Sequence, residues 1–163
     1  MDERRKFLEI YLNDHLAGAT GGVELVRRSR SSNEGTPLGE FLERLEEELV
    51  EDRSTLVGIV GDLELDAKRY KQAVAWTGEK LGRLKPNARM IESSPLSRVV
   101  ELEALLAGVH AKLGLWRALS VVAEAEPVLA RVGLPSLIRR AERQREELEH
   151  FRIGAVEGTF SRA

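Results

Sequence analysis

Apolar residues recur every three or four positions along most of this chain, and this spacing predicts amphipathic helices. The clearest seam lies in residues 36–60 and consists of Leu38, Phe41, Leu42, Leu45, Leu49, Leu56, Ile59 and Val60. One position on this seam is polar. Between Leu49 and Leu56 the spacing requires an apolar residue at position 52, and the chain has Asp52 there. We therefore predict that Asp52 is a carboxylate inside the fold.

The same pattern predicts helices over residues 2–30, 36–61, 66–84 and from 95 onward, and a last helix from Leu134. Thr36-Pro37 and Ser94-Pro95 each combine an N-cap residue with proline at the first helical position. Pro127 interrupts the helix that begins at 95. No alternating run of β-branched residues predicts a strand. We predict one all-α domain over residues 1–163, a four-helix up-down bundle with an additional short helix in the crossover.

Glycine is concentrated in the middle of the first helix, in the stretch Ala17-Gly18-Ala19-Thr20-Gly21-Gly22. Each glycine in a helix interior costs about 1 kcal/mol relative to alanine. Two interpretations are open: the glycines allow a neighbouring helix to approach closely, which we favour, or they mark a break in the helix. A small-ligand pocket at this place is a third interpretation. The sequence does not decide whether the helix is continuous from Gly18 to Gly22.

Composition narrows the function classes. The 163 residues are 42% hydrophobic and 32% charged, and the net charge of −2 argues against a nucleic-acid-binding protein. The absence of cysteine excludes disulfides, thiolate nucleophiles and cysteine zinc sites. No apolar run approaches the ~20 residues of a membrane span, and no signal peptide is recognisable. We expect a soluble, cytoplasmic protein that does not enter a membrane.

Asp52 has a candidate neighbour in the first helix. If the first two helices form an antiparallel hairpin that turns near residue 33 or 34, His15 lies opposite Asp52. The pair would either fix the register of the hairpin or form half of a metal site. Glu48 lies one turn before Asp52, and Glu103 flanks the seam of a later helix. The candidate metal ligands are therefore His15, Glu48, Asp52 and Glu103.

The last helix supplies further polar candidates. Gln144 and Arg145 lie at or beside its core line, and either could satisfy an internal acid such as Asp52 or Glu103. Glu147 and His150 match the Glu-x-x-His spacing of carboxylate-bridged di-metal bundles. Since Leu148 lies on the seam, His150 would point roughly 160° away from it, so the match is interpreted as accidental.

Established catalytic motifs are not recognisable in the sequence. It contains no Gly-x-Ser-x-Gly, no phosphate-binding loop, no dinucleotide glycine fingerprint and no His-Glu-x-x-His. Charge is segregated instead, with ten acidic residues in 36–66 and eight basic residues in 67–98. This segregation indicates either that the two stretches lie side by side or that residues 67–98 form a basic patch for an anionic partner. We favour the first interpretation.

Four stretches carry a resemblance: YLNDHLAGATGGVELVRR (11–28), ELVEDR (48–53), EKLGRLKPN (79–87) and PLSRVVELEALLAGVHAKLGLWRAL (95–119). They resemble a family of uncharacterised bacterial helical-bundle proteins that is similar to ferritin-like proteins. The resemblance implies four long helices, with residues 62–95 as the crossover. It would place a metal-binding Glu on the first helix and Glu-x-x-His on the second. This chain has His15 and Glu48-Leu49-Val50-Glu51 there, which puts di-iron chemistry in doubt.

These observations predict a non-catalytic structural or interaction protein that forms a homodimer. The alternative is a degenerate ferritin-like protein that binds a transition metal between helices 1 and 2. The identity of any small-molecule ligand is not predictable from the sequence.

Overall fold

The computed structural model describes residues 3–66 and 94–161, and within these ranges the chain is helical without strands. The helices are α1 (Glu3–Ser31), α2 (Pro37–Asp62), α3 (Pro95–Val122) and α4 (Leu134–Phe160), and a 3₁₀ turn over Pro127–Arg131 connects the last two. The all-α prediction is confirmed for this part of the chain. The short helix predicted at 66–84 lies outside the described residues.

The predicted starts of α2 and α3 are confirmed by their capping hydrogen bonds. The Thr36 hydroxyl accepts a hydrogen bond from the amide of Gly39 at 3.1 Å. The Ser94 hydroxyl accepts one from the amide of Ser97 at 3.2 Å. Each cap satisfies one of the amide groups that a helix N-terminus leaves without a partner. Before α4, Gly133 takes a left-handed conformation with φ of 71°, which glycine adopts without strain.

Helix α1 runs without interruption through Gly18–Gly22, so the interpretation of these glycines as a break is wrong. The favoured interpretation, close approach of a neighbouring helix, is wrong for the helices that the structure describes. A Cβ atom added at Gly18, Gly21 or Gly22 would meet no atom of the described residues within 4 Å. Alanine would therefore fit at each position, and the glycines leave space that nothing in the described chain occupies.

Two apolar clusters form the core. All four helices contribute to the first, which includes Leu12, Leu16, Leu56, Ile59, Leu113, Trp116, Leu119, Leu137 and Ala141. All four also contribute to the second, which includes Val26, Phe41, Leu42, Leu45, Leu102, Leu105, Val109 and Leu148. Buried Asp52 and Gln144 lie between the two clusters in the sequences of α2 and α4. These two polar side chains therefore lie where the first apolar cluster ends and the second begins.

The helices are not equally spaced. Helix α1 packs directly against α2 and α3, and α3 packs directly against α4. Helices α2 and α4 share few close backbone contacts and are connected mainly by long polar side chains. This spacing leaves room for ion pairs between α2 and α4 inside the fold.

Helix α3 is the most apolar of the described helices. By length and composition alone it could cross a membrane, with a mean hydropathy of 1.3 over 18 residues. The core helix of a soluble protein meets the same criterion. One third of that 18-residue window is buried, and Leu102, Leu113 and Trp116 of this helix lie in the two clusters.

Candidate functional site

Asp52 lies inside the fold, as predicted, with 2% of its surface exposed. Its Oδ2 is 2.5 Å from Nζ of Lys112 on α3. Its Oδ1 is 3.0 Å from Nη1 of Arg140 on α4. Asp52 therefore joins α2 to two other helices through two separate cations, and neither of them comes from α1.

The contacts of Asp52 extend into a hydrogen-bonded network. Gln144 accepts a hydrogen bond from Lys112 Nζ at 2.5 Å and donates one to Glu48 Oε2 at 2.7 Å. Arg143 donates to the other oxygen of Glu48. We call Glu48, Asp52, Lys112, Arg140 and Gln144 the polar layer. Gln144 is internal, as predicted, although it bonds Glu48 and Lys112 rather than Asp52.

The polar layer is balanced in charge, since two carboxylates face one ammonium and one guanidinium. A buried ion pair recovers the cost of losing water only when its remaining donors and acceptors are also satisfied. Here both oxygens of Asp52 and both oxygens of Glu48 are bonded. Burial lowers the pKa of Lys112 from its ordinary value, and the attraction of Asp52 offsets this only in part. Asp52 therefore favours the protonated form of Lys112 inside the fold.

His15 makes no hydrogen bond or ion pair with Asp52 among the described contacts. Its ring lies edge-on to that of Tyr11, with 4.6 Å between the ring centroids. Burial lowers the pKa of His15 from its usual value, and the negative charge of Asp14 offsets this in part. The predicted His15–Asp52 pair is therefore wrong as a direct contact, although both residues line the same cleft, which is described below.

We predict that His15 titrates below the ordinary histidine value of about 6.5. The unfolded chain binds the proton more readily than the folded chain, so stability falls as the pH drops from about 6.5 through the folded-state pKa. An NMR titration of the imidazole measures that pKa, and a midpoint at or above 6.5 would contradict the prediction. In His15→Gln, the urea midpoint should change less between pH 7 and pH 5 than in the parent protein.

The remaining sequence candidates lie toward the surface. Glu103 is exposed on α3 and pairs with Arg152 at 3.5 Å. Arg145 lines the same surface groove as Glu103 and reaches neither Asp52 nor Glu103 with a hydrogen bond. His150 is exposed on α4, while Glu147 pairs with Arg44 at 3.7 Å. As predicted, Glu147 and His150 do not face the core together.

The four predicted metal ligands do not come together as a site. Within residues 3–66 and 94–161, no group of three or more histidine, aspartate or glutamate side chains is arranged to hold a metal ion. A cation at Asp52 would have to displace Lys112 or Arg140. Glu48 is occupied by Arg143 and Gln144, and Glu103 is exposed on another helix. The donor set of the polar layer does not fit a ferritin-like metal centre.

A cleft of about 120 Å³ lies between α1, α2 and α3, beside the polar layer. We call it the glycine cleft. Its lining is formed by small residues of α1 and α3 (Gly18, Ala19, Gly22, Ala104, Gly108 and Ala111), by apolar side chains (Leu49, Leu56, Leu105, Val109, Leu115 and Trp116) and by polar side chains (His15, Asp52, Arg53 and Lys112). Gly18, Ala104 and Gly108 are exposed, so the cleft opens to solvent.

Lys112 and Arg140 are the partners of Asp52, and neither is among the candidates that the sequence analysis predicts. The sequence nevertheless contains a signal for both. Lys112 lies three residues after Val109 and four before Trp116, both of which are buried. Arg140 lies three residues after Leu137 and four before Gln144. Because residues three and four apart share a helix face, each cation borders the core line of its helix. A search for cations beside the seam would have found the partners of Asp52.

Comparison of the chain with protein families, curated proteins and solved structures finds no match. The resemblance to ferritin-like proteins therefore stays a prediction.

Proposed function

We propose that this protein is a non-catalytic structural or interaction protein. The observation that carries the proposal is the state of Asp52, the one fully buried carboxylate among the described residues. Both of its oxygens are paired with cations from other helices. A catalytic carboxylate needs an oxygen that can reach a substrate, and a metal ligand needs an oxygen that a metal ion can approach. Each oxygen of Asp52 instead faces a cation inside the fold, and this pairing joins three helices.

We further propose a ferritin-like connection between the two helical hairpins. In α2, the residues of the second cluster (Phe41, Leu45) precede those of the first (Leu56, Ile59). Helix α3 has the same order, whereas α1 and α4 have the reverse order. Helices α2 and α3 therefore run in the same direction. The end of α2 and the start of α3 therefore lie at opposite ends of the bundle, which is the order of helix directions that the ferritin-like resemblance implies and differs from a simple up-down arrangement.

Self-association and a cytoplasmic location complete the proposal. Large apolar side chains are exposed outside the core, among them Phe7 at 60%, Val121 at 70% and Phe160 at 62%. Exposed side chains of this size offer apolar contacts to a second copy. The charge of Lys112 on α3 supports a water-soluble protein, because it is paired with Asp52 inside the fold.

The proposal is tested on one preparation of the untagged protein. Elemental analysis after incubation with iron, manganese or zinc should find less than about a tenth of an equivalent of bound metal, because the polar-layer oxygens are already paired. Stoichiometric metal that disappears in Asp52→Asn would establish the metal-binding alternative. Light scattering should give twice the 18.2 kDa mass of the chain. A strict monomer would remove the homodimer from the proposal.

A further inference from the structure

Helix α3 carries a second apolar seam on the side that faces away from the core. Its inward side supplies buried residues to both clusters, among them Leu102, Val109 and Trp116. The outward seam consists of two rows that repeat every seven residues, namely Ala104, Ala111 and Ala118, and Val100, Ala107, Gly114 and Val121. Steps along this seam alternate between four and three residues, which is the spacing of a helix that packs against another helix. A helix with one buried side needs only one such seam.

The outward seam is exposed in the described structure. Leu96, Val100 and Val121 are 50%, 55% and 70% exposed, and they lie toward the two ends of α3. Ala107 and Gly114 in the middle are exposed as well. From Val100 to Val121 the seam is about 32 Å long, given the rise of an α-helix. Small residues in its middle allow a second helix to approach closely, while the larger residues extend the apolar contact at both ends.

A row of charged side chains follows one edge of the outward seam. It consists of Glu103, His110 and Arg117, which are also seven residues apart and are all exposed. Glu103 and Arg117 carry opposite charges and lie at equal distances along the helix from His110. Glu103 contacts Arg152 of α4 at 3.5 Å, and Arg117 contacts Glu142 of α4 at 2.7 Å. Since their side chains remain 54% and 56% exposed, each can also contact a second molecule.

This charged row is complementary to itself when two copies of α3 run antiparallel. A two-fold axis at the level of His110 brings Glu103 of each copy beside Arg117 of the other copy, and the apolar rows then face each other. In a parallel pair in register, no opposite charges of this row would lie at the same level. Residues that flank an apolar seam select the partner and the orientation of paired helices in this way. Matched opposite charges favour a second copy over a lipid surface, which offers no such pairing.

We propose that a second copy of this chain docks on the outward seam of α3, as an antiparallel α3–α3 pair in which Glu103 of each copy pairs with Arg117 of the other. The proposal rests on the homodimer of the proposed function and names the surface that forms it. A two-fold contact of this kind uses the same surface on both copies, so the assembly closes at two chains.

Val100→Lys and Val57→Lys form a matched pair of variants. Both replace an exposed valine, at 55% and 47%, but only Val100 lies on the outward seam, since Val57 belongs to α2. In the antiparallel pair, Val100 lies near the level of Arg117 of the other copy, so a new ammonium group there would lose water beside a like charge. The dissociation constant of the dimer, measured by sedimentation over a dilution series, should rise about tenfold in Val100→Lys. It should stay unchanged in Val57→Lys, and equal dissociation constants in the two variants would overturn the proposal.

Glu103→Arg and Arg117→Glu test the antiparallel register. Each variant alone places like charges beside each other at both ends of the pair, so its homodimer should dissociate about tenfold more readily than the parent dimer at low salt. An equimolar mixture brings opposite charges together again, so heterodimers should form with the affinity of the parent dimer. Native mass spectrometry distinguishes the three dimers by mass. Homodimers as stable as the parent, with heterodimers only in the statistical proportion, would overturn the register.

The outcomes separate the surface from the homodimer itself. A parent protein that stays a strict monomer removes both the homodimer of the proposed function and its docking on α3. A parent dimer that Val100→Lys, Glu103→Arg and Arg117→Glu all leave intact keeps the homodimer and overturns the α3 surface. In that case the outward seam would serve another part of the chain or a lipid surface.

Discussion

Asp52→Asn should lower the free energy of unfolding by about 3 kcal/mol, because it leaves two cations without their shared buried counter-charge. Lys112 would be affected most. Its side chain is 13% exposed, and the attraction of Asp52 is the largest effect that opposes the lowering of its pKa by burial. A loss of this size is a large fraction of the stability of an ordinary domain. Urea unfolding followed by circular dichroism measures the change.

Glu51→Gln is the matched control, since Glu51 precedes Asp52 and also pairs with Arg140, at 2.9 Å. Its side chain is 64% exposed, and exposed pairs contribute less than about 1 kcal/mol. The structural role of Asp52 therefore requires that Asp52→Asn be clearly more destabilising than Glu51→Gln. Equal losses in the two variants would mean that solvent screens Asp52 as well.

A double variant separates the buried charges from the helix contacts. Asp52→Leu combined with Lys112→Met replaces the closest ion pair with apolar side chains of similar length. Such replacements are often neutral or stabilising, so the double variant should recover most of the stability lost in Asp52→Asn. A double variant less stable than Asp52→Asn would indicate that the pair contributes a specific geometry that apolar side chains cannot replace.

The helices of this protein are predictable from sequence because their signals are local. Thr36-Pro37 and Ser94-Pro95 specify helix starts through caps that involve only three or four neighbouring residues. The burial of Asp52 was equally predictable, since its position on the seam of α2 is a property of that helix alone. These features need only the period of a helix and the chemistry of its first turn.

The partners of Asp52 were not predictable in the same way. An antiparallel hairpin of the first two helices places His15 opposite Asp52. This prediction assumes that the helix nearest in sequence supplies the partner of Asp52. The structure supplies Lys112 and Arg140 from α3 and α4, which lie 60 and 88 residues away. Which helices face α2 is decided by the packing of two hairpins against each other, and no short stretch of sequence records this. The long side chain of Arg140 also reaches Asp52 across the gap between α4 and α2, and the antiparallel pairing of two neighbouring helices does not take such a reach into account.

The glycines of this chain show the limit of local interpretation most clearly, because glycine serves two opposite purposes here. At Gly39 an added Cβ would collide with the backbone carbonyl group of Asn33. Asn33 cannot easily move away, since its carbonyl oxygen also accepts a hydrogen bond from the Thr36 hydroxyl at 2.7 Å. At Gly22 an added Cβ would meet nothing among the described residues. The sequence alone marks both simply as glycine within a helix.

We therefore expect alanine substitutions at these two positions to change stability in opposite directions. Gly39→Ala should be destabilising by about 1–3 kcal/mol, because the connection between α1 and α2 has to shift to admit the methyl group. Gly22→Ala should be stabilising by about 0.5–1 kcal/mol through helix propensity alone. Chemical denaturation of both variants measures the two changes. A destabilised Gly22→Ala would mean that a part of the chain beyond the described residues packs against this position and needs glycine there.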